Sequence, residues 1–225
     1  MKYVKTFVSG LVLAAGLTLV VASANANVIL TFGQNVDGNT IAGVNNGSGT
    51  TTIAGTDVPI TITQIDAALL TPFDALFTLS ATSISSATFF NGFVTQEYSG
   101  SFCITSLTGC GGVNYLSGTF SDATFGGGTS LTLSAAQPPE TVSFSSAVIS
   151  PLNLARGIAL SFANVTPPVQ IVNGSLGSFA SSVSGTFSAN EVTLETPEPA
   201  TLMLLGAALA GLGLALRRRK TPAPR

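Results

Sequence analysis

The chain has 225 residues, and 8 Lys and Arg against 10 Asp and Glu give it a formal net charge of −2. It has no histidine and no tryptophan, which excludes His-based catalytic triads, His metal ligands and Trp sugar platforms. Between residues 27 and 196, Arg156 is the only cation against nine acids, so this segment carries −8 and is unsuited to binding nucleic-acid phosphates.

Residues 1–26 have the three parts of a secretory signal peptide in the correct order. Lys2 and Lys5 form a short positive segment, residues 7–21 are apolar, and Ala24 and Ala26 form an A-x-A cleavage site. An N-terminal membrane anchor is the alternative, but an apolar run of about 15 residues is shorter than the roughly 20 that span a bilayer. We therefore expect the Sec export machinery to carry the chain across the inner membrane, and the mature protein to begin at Asn27.

Residues 27–196 show the pattern of an all-β domain. Ser and Thr make up 47 of these 170 residues and alternate with apolar residues in short runs, which is typical of half-buried strands. No stretch has a convincing helical period. Turn pairs rich in Gly, Asn and Pro separate the runs, as at Asn46-Gly47, Asn91-Gly92 and Asn173-Gly174. The expected strands are 59–65, 75–84, 89–94, 113–120, 130–135, 142–149 and 158–165, with one or two more in 175–194. This pattern predicts an antiparallel β-sandwich or jelly-roll-like domain of roughly eight to ten strands.

A four-residue phrase, Ser-Gly-Ser/Thr-Phe, occurs at residues 99–102, 117–120 and 184–187. The spacings differ, so the phrase is not a structural repeat. We interpret it as a local packing arrangement within a strand, in which the Phe side chain is buried and a small residue permits close packing. A threefold binding element is the alternative.

Cys103 and Cys110 are the only cysteines. Export to an oxidising compartment predicts a disulfide between them that closes a hairpin loop. A metal site would need more ligands, and a redox pair is more often C-x-x-C, so neither of these, nor a pair of free thiols, is the preferred interpretation.

Acidic and amide side chains leave two kinds of site open. Asn35, Asp37 and Asn39 place oxygen atoms on alternate residues, as in a calcium loop, but the closing Glu of an EF-hand is absent and an Asx-rich turn is the simpler interpretation. A glycosidase needs only two carboxylates. The acids are scattered, however, and we expect no enzyme activity and no cofactor; they are Asp37, Asp57, Asp66, Asp74, Glu97, Asp122, Glu140, Glu191 and Glu195.

The C-terminus contains a tripeptide, an apolar run and a basic block in that order. Pro197, Glu198 and Pro199 are followed by 17 uncharged residues at 200–216, which are just long enough for a membrane-spanning helix. Arg217, Arg218, Arg219 and Lys220 then form a basic cluster that stays on the cytoplasmic side, followed by a short cytoplasmic tail at 221–225. A plain single-span anchor is the alternative.

This tail resembles the PEP-CTERM sorting signal of Gram-negative bacteria. The resemblance implies that a membrane-embedded exosortase recognises residues 197–199 and processes the chain, much as a GPI signal holds its substrate at the membrane until it is cut. It also implies an association with exopolysaccharide, biofilm matrix and surface display. We therefore expect an exported protein that is transiently anchored in the membrane and then reaches the cell surface or matrix. Its domain would be structural or adhesive, or alternatively a glycan- or calcium-binding module on a plain anchor.

Overall fold

The computed structural model describes residues 27–128, 130–136, 140–150, 152 and 156–189. The described part of the chain contains thirteen strands and no helix. In chain order the strands are β1 Asn27–Gln34, β2 Ile41–Asn45, β3 Thr51–Ile65, β4 Phe73–Ser83, β5 Thr88–Phe90, β6 Phe93–Leu107, β7 Gly111–Gly127, β8 Leu131–Ala136, β9 Thr141–Ser145, β10 Gly157–Thr166, β11 Ile171–Val172, β12 Ser175–Leu176 and β13 Phe179–Ala189.

Eleven of these strands form one antiparallel sheet, and eight of them close it into a ring. The path runs β1, β3, β4, β6, β7, β8, β10 and β13, so strands that follow one another in the ring also follow one another along the chain. Pairing of β13 with β1, from Asn27 opposite Ala189 to Gly33 opposite Ser184, completes the ring. Closure leaves each of the eight strands with two neighbours and gives the sheet an interior and an exterior face.

Three strands of the ring are continued by a shorter strand after an interruption. β2 continues β1 along both β3 and β13, with residues 35–40 looped out between them. In the same way β5 continues β4 along β6, and β9 continues β8 along β7. These insertions leave the direction of the strands unchanged.

The register defines two rims. The terminal rim contains Asn27, Ala189 and the β6–β7 turn, and the distal rim contains the β2–β3, β5–β6 and β7–β8 turns. The β11–β12 hairpin lies in the connection between β10 and β13, and Leu176 at its end is completely buried. The turns of the β5–β6 and β11–β12 hairpins are Asn91-Gly92 and Asn173-Gly174, with positive φ at all four residues, as type I′ turns require.

Phenylalanine fills the interior of the ring. Phe187 stacks on Phe102 with ring centroids 4.7 Å apart, and Phe32 lies 4.9 Å from Phe77. A second group surrounds Phe125, which contacts Tyr98 and Phe162 at 5.3 Å each. Every strand of the ring contributes inward-facing apolar residues, because alternate positions face the interior.

The Ser-Gly-Ser/Thr-Phe phrase is a packing element, as expected. Phe102, Phe120 and Phe187 are all buried. A Cβ at Gly100 would lie 2.3 Å from the carbonyl oxygen of Ser80, and one at Gly185 would lie 2.4 Å from the ring of Phe32. The glycine therefore permits a close approach that no larger residue allows.

The all-β, antiparallel class is confirmed, whereas the sandwich or jelly-roll type is not. The strands pair into one closed sheet plus the two-stranded β11–β12 hairpin. The strand expected at 89–94 is wrong, because Asn91 and Gly92 form a turn between β5 and β6. Strands β1, β2 and most of β6 were not expected, and residues 146–149 lie beyond the end of β9.

Candidate functional site

Most of the residues expected to direct export and sorting lie outside the described part of the chain. This applies to Ala24 and Ala26 at the cleavage site, to Pro197, Glu198 and Pro199, and to the basic cluster 217–220. Their roles stay predictions from the sequence. The span expected at 200–216 is also outside, and the described residues contain no helix long and apolar enough to cross a membrane.

The expected disulfide is present in the hairpin between β6 and β7. Cys103 lies on β6 and is buried, whereas Cys110 is the last residue of the exposed turn, and their Cα atoms are 5.9 Å apart. Cys110 has a positive φ of 56°. The bridge ties this turn back to the part of β6 that pairs with Thr78 on β4. There the carboxylate of Asp57 accepts a hydrogen bond from the Gly109 N–H at 2.9 Å.

Removing this bridge with Cys103→Ala and Cys110→Ser is expected to lower the free energy of unfolding by about 2.5 kcal/mol. The value follows from the chain entropy released when a closed loop of eight residues is opened. Urea unfolding of the oxidised protein and of the double variant measures it. The reduced wild-type protein should match the variant, and equal stability of oxidised and reduced protein would contradict the assignment of a structural bridge.

The loop expected to resemble a calcium site is organised by a glutamine. The side-chain amide of Gln34 donates hydrogen bonds to the carbonyl oxygens of Val36 at 2.8 Å and Gly38 at 2.7 Å. The Gln34 side-chain oxygen accepts from the Thr40 hydroxyl at 2.5 Å. The Gln34 amide nitrogen thus lies where a cation would meet these carbonyls. The calcium loop stays the alternative to the Asx-rich turn that we expect from the sequence.

Three of the described acids accept hydrogen bonds with their side chains, each acting singly; they are Asp57, Asp74 and Glu140. Asp74 accepts hydrogen bonds from Asn35 and from Thr61, both at 3.0 Å, and thereby fixes the loop after β1. Glu140 accepts a longer bond from the Ala136 N–H at 3.3 Å. Among the residues that the structure describes, no three acids or cysteines come together in a way that could hold a metal ion. Glu191 and Glu195 lie outside this part of the chain.

A buried polar network beneath the distal rim was not anticipated. The side-chain amide of Gln96 donates to Ser85 O and to Ser175 Oγ, both at 2.8 Å, and its oxygen accepts from Leu176 N at 3.1 Å and from the Tyr98 hydroxyl at 3.2 Å. These bonds fasten the β11–β12 hairpin to β6. The sequence holds one signal for it: Gln96 takes an inward position between Val94 and Tyr98, where burial requires hydrogen-bond partners.

Burial raises the pKa of the Tyr98 hydroxyl well above its ordinary value. Above about pH 10 the unfolded chain therefore loses this proton while the folded chain keeps it, so the folded state binds more protons. The free energy of unfolding is expected to fall by about 1.4 kcal/mol for each further pH unit. Urea unfolding at several alkaline pH values measures this decrease. The decrease should disappear in Tyr98→Phe and should remain in the control variant Tyr115→Phe. An identical pH dependence in Tyr98→Phe and wild type would refute it.

The distal rim also carries an exposed aromatic hairpin, formed by β5, the Asn91-Gly92 turn and the start of β6. Phe89, Phe90 and Phe93 are 66%, 76% and 60% exposed. Beside Phe93, on the outer face of the sheet, lies an open groove of about 600 Å³. We call it the glycine groove; it is lined by Phe93, Thr95, Thr124, residues 126–128, Ser130 and Thr132.

The C-terminal tail defines the class of protein to which the chain corresponds, an exported protein with a C-terminal sorting signal. The family model of the PEP-CTERM protein-sorting motif matches residues 195–220, which confirms the resemblance and its extent. The motif implies export, a membrane-anchored sorting signal and an exosortase as processing partner. No curated protein and no solved structure matches the chain.

Proposed function

We propose that this protein is a non-catalytic structural or adhesive component of the cell surface or of the extracellular polymer matrix, linked to exopolysaccharide or biofilm. The sorting motif at residues 195–220 carries the proposal, because it marks the chain for delivery outside the inner membrane. The final location on the surface or in the matrix, and the release of the span predicted at 200–216, belong to this proposal.

The chemistry of the described domain supports a role without catalysis. Asp57, Asp74 and Glu140 each accept hydrogen bonds from loop or strand groups, so these carboxylates stabilise the fold. The closed sheet, the disulfide of the β6–β7 hairpin and the aromatic interior suit a domain that must stay folded outside the cell. No cofactor is required for such a role.

Within the tail, we assign recognition to the tripeptide and orientation to the basic cluster. Pro197 and Pro199 lack a backbone donor and cannot continue a helix, so they keep the segment extended for an enzyme to grip. Glu198 places one negative charge between them. Arg217, Arg218, Arg219 and Lys220 hold the end of the span in the cytoplasm.

The intact mass of the mature protein, from cells with and without the sorting enzyme, tests this assignment. With the enzyme, the mass is expected to lack residues 1–26 and the residues beyond the Pro-Glu-Pro region. Without it, or after alanine replacement of residues 197–199, the tail should stay attached. Pro222→Ala with Pro224→Ala is the matched control, since it removes a second proline pair outside the matched segment. A tail retained in all strains would identify a plain anchor and overturn the proposal.

A further inference from the structure

The glycine groove exists because residues 126–128 have no side chains. A Cβ at Gly126 would lie 2.4 Å from the carbonyl oxygen of Val94, and one at Gly127 would lie 2.0 Å from that of Ser130. At Gly128 the nearest atom to a Cβ would be the Gly92 oxygen at 3.5 Å, which is an ordinary contact distance. Backbone packing therefore requires glycine at positions 126 and 127, and the three glycines leave a floor of bare backbone.

The register gives the groove its width. Thr95 on β6 lies opposite Gly126 on β7, which in turn lies opposite Thr132 on β8. The two threonine walls are thus separated by two strand spacings, about 9.6 Å. Because the groove lies on the exterior face of the ring, a polymer chain can pass across it without entering the protein. Its volume falls within the range of small-molecule sites.

The lining offers hydroxyl groups and one aromatic face, and it contains no ionisable side chain. Thr124, Ser130 and Thr132 each carry a hydroxyl in the lining. The Thr95 hydroxyl shares a hydrogen bond of 2.7 Å with that of Thr88, which leaves it oxygen lone pairs as acceptors. The Thr132 hydroxyl donates to Gly126 O at 3.3 Å, which orients it and leaves its oxygen lone pairs as acceptors. Phe93, at 60% exposure, supplies an apolar ring at the distal end.

This combination selects among ligand classes by charge. An anionic ligand would find no cation, because Arg156 is the only Lys or Arg between residues 27 and 196 and donates to the carbonyls of Val142 and Leu152. A cationic ligand would find no carboxylate in the lining. A second copy of the chain would bring together two segments of net charge −8. A neutral sugar has both hydroxyl edges and apolar C–H faces, which match the threonine walls and the Phe93 ring.

We infer that the glycine groove binds a neutral polysaccharide, with Phe93 stacking on a sugar face and the threonine walls bonding its hydroxyls. The site is at the distal rim, opposite the rim that contains Asn27 and Ala189. This inference adds a ligand class to the proposed function. It rests on the proposed function only in requiring that the protein is outside the cell, where it can meet a polysaccharide.

Affinity electrophoresis of the mature protein, purified from its own cells, tests the inference. The gels contain one of four neutral polymers (dextran, soluble starch, galactomannan or arabinogalactan) or the anionic polymer alginate. Retardation by at least one neutral polymer and none by alginate is expected. Phe93→Ser should weaken binding by about threefold to tenfold, the range expected for loss of one aromatic contact. Thr132→Arg should abolish binding, because it fills the groove while keeping Phe93.

Two control variants keep the test specific. Phe89→Ser truncates a ring of similar exposure that does not line the groove, and Ser80→Arg adds the same charge at an exposed position on β4; both should bind like wild type. Thermal melting of all variants verifies that they are folded.

No retardation by any neutral polymer, or retardation unchanged in Phe93→Ser and Thr132→Arg, overturns the inference. So does a change of sedimentation coefficient in Phe93→Ser, which would identify an interface between copies. The intact mass of the same samples reports sorting separately, so the proposed function and the groove can fail independently.

Discussion

Replacing Phe187 by alanine is expected to lower the free energy of unfolding by about 3–5 kcal/mol, the usual cost of removing a buried phenylalanine ring. Phe187 is completely buried on the last strand of the ring. Its ring stacks on Phe102 at 4.7 Å and on Phe32 at 6.2 Å, and it meets the edge of Phe144 at 5.9 Å. The substitution removes a contact that joins β13 to β1, β6 and β9, and urea unfolding of the mature protein measures its cost.

Phe90→Ala provides the matched control for this truncation. Phe90 is 76% exposed in the aromatic hairpin, so the same change there is expected to alter stability by less than about 0.5 kcal/mol. A loss below about 1 kcal/mol for Phe187→Ala would mean that the ring interior is not packed around this residue.

Replacing Gly118 by alanine is expected to destabilise the protein by about 3 kcal/mol, at the upper end of overpacking costs. A Cβ at this position would lie 2.0 Å from the carbonyl oxygen of Ser143 and 3.0 Å from the ring of Phe102. The first of these atoms is backbone on the neighbouring strand β9, so relief requires β9 to move away from β7. This movement would break the pairing of Gly118 with Phe144.

Gly33→Ala is the control for the glycine prediction. Gly33 also lies within a strand, but a Cβ there would meet no atom within 4 Å. Alanine at Gly33 should leave stability unchanged or raise it by about 0.5 kcal/mol, because it restricts the unfolded chain. Equal urea midpoints for the two variants would contradict the close approach of β7 and β9.

The strands that could be predicted are those whose alternation continues without interruption. Residues 158–165 and 130–135 alternate without a break and match β10 and β8 to within one residue at each end. Residues 89–94 also have β-forming side chains, but the Asn-Gly pair in their middle favours a type I′ turn, and the turn prevails. β2 was missed because its five residues include Gly43, which has no side chain to contribute to the pattern.

The candidate sites also fall into those that the local sequence predicts and those that form only in the folded protein. The disulfide could be predicted because only two cysteines exist and they lie close together in the chain. The Gln96 network and the glycine groove depend on residues from β3, β6, β7, β8 and β12 that meet only in the folded ring. Nothing in the local sequence distinguishes Thr95, Thr124 and Thr132 from the many other threonines of the chain.

Sequence reasoning identifies the C-terminal motif, which implies export and sorting, and predicts a domain made of antiparallel strands. Export and sorting signals act as short contiguous segments, whose charge order and apolar length are read without tertiary context. Strand content follows from a period of two, which is also local. The choice between two facing sheets and one closed sheet depends on tertiary contacts, because in either arrangement a strand has one buried and one exposed face. The pairing of Asn27 with Ala189, 162 positions later in the chain, closes the ring. No local pattern encodes that contact.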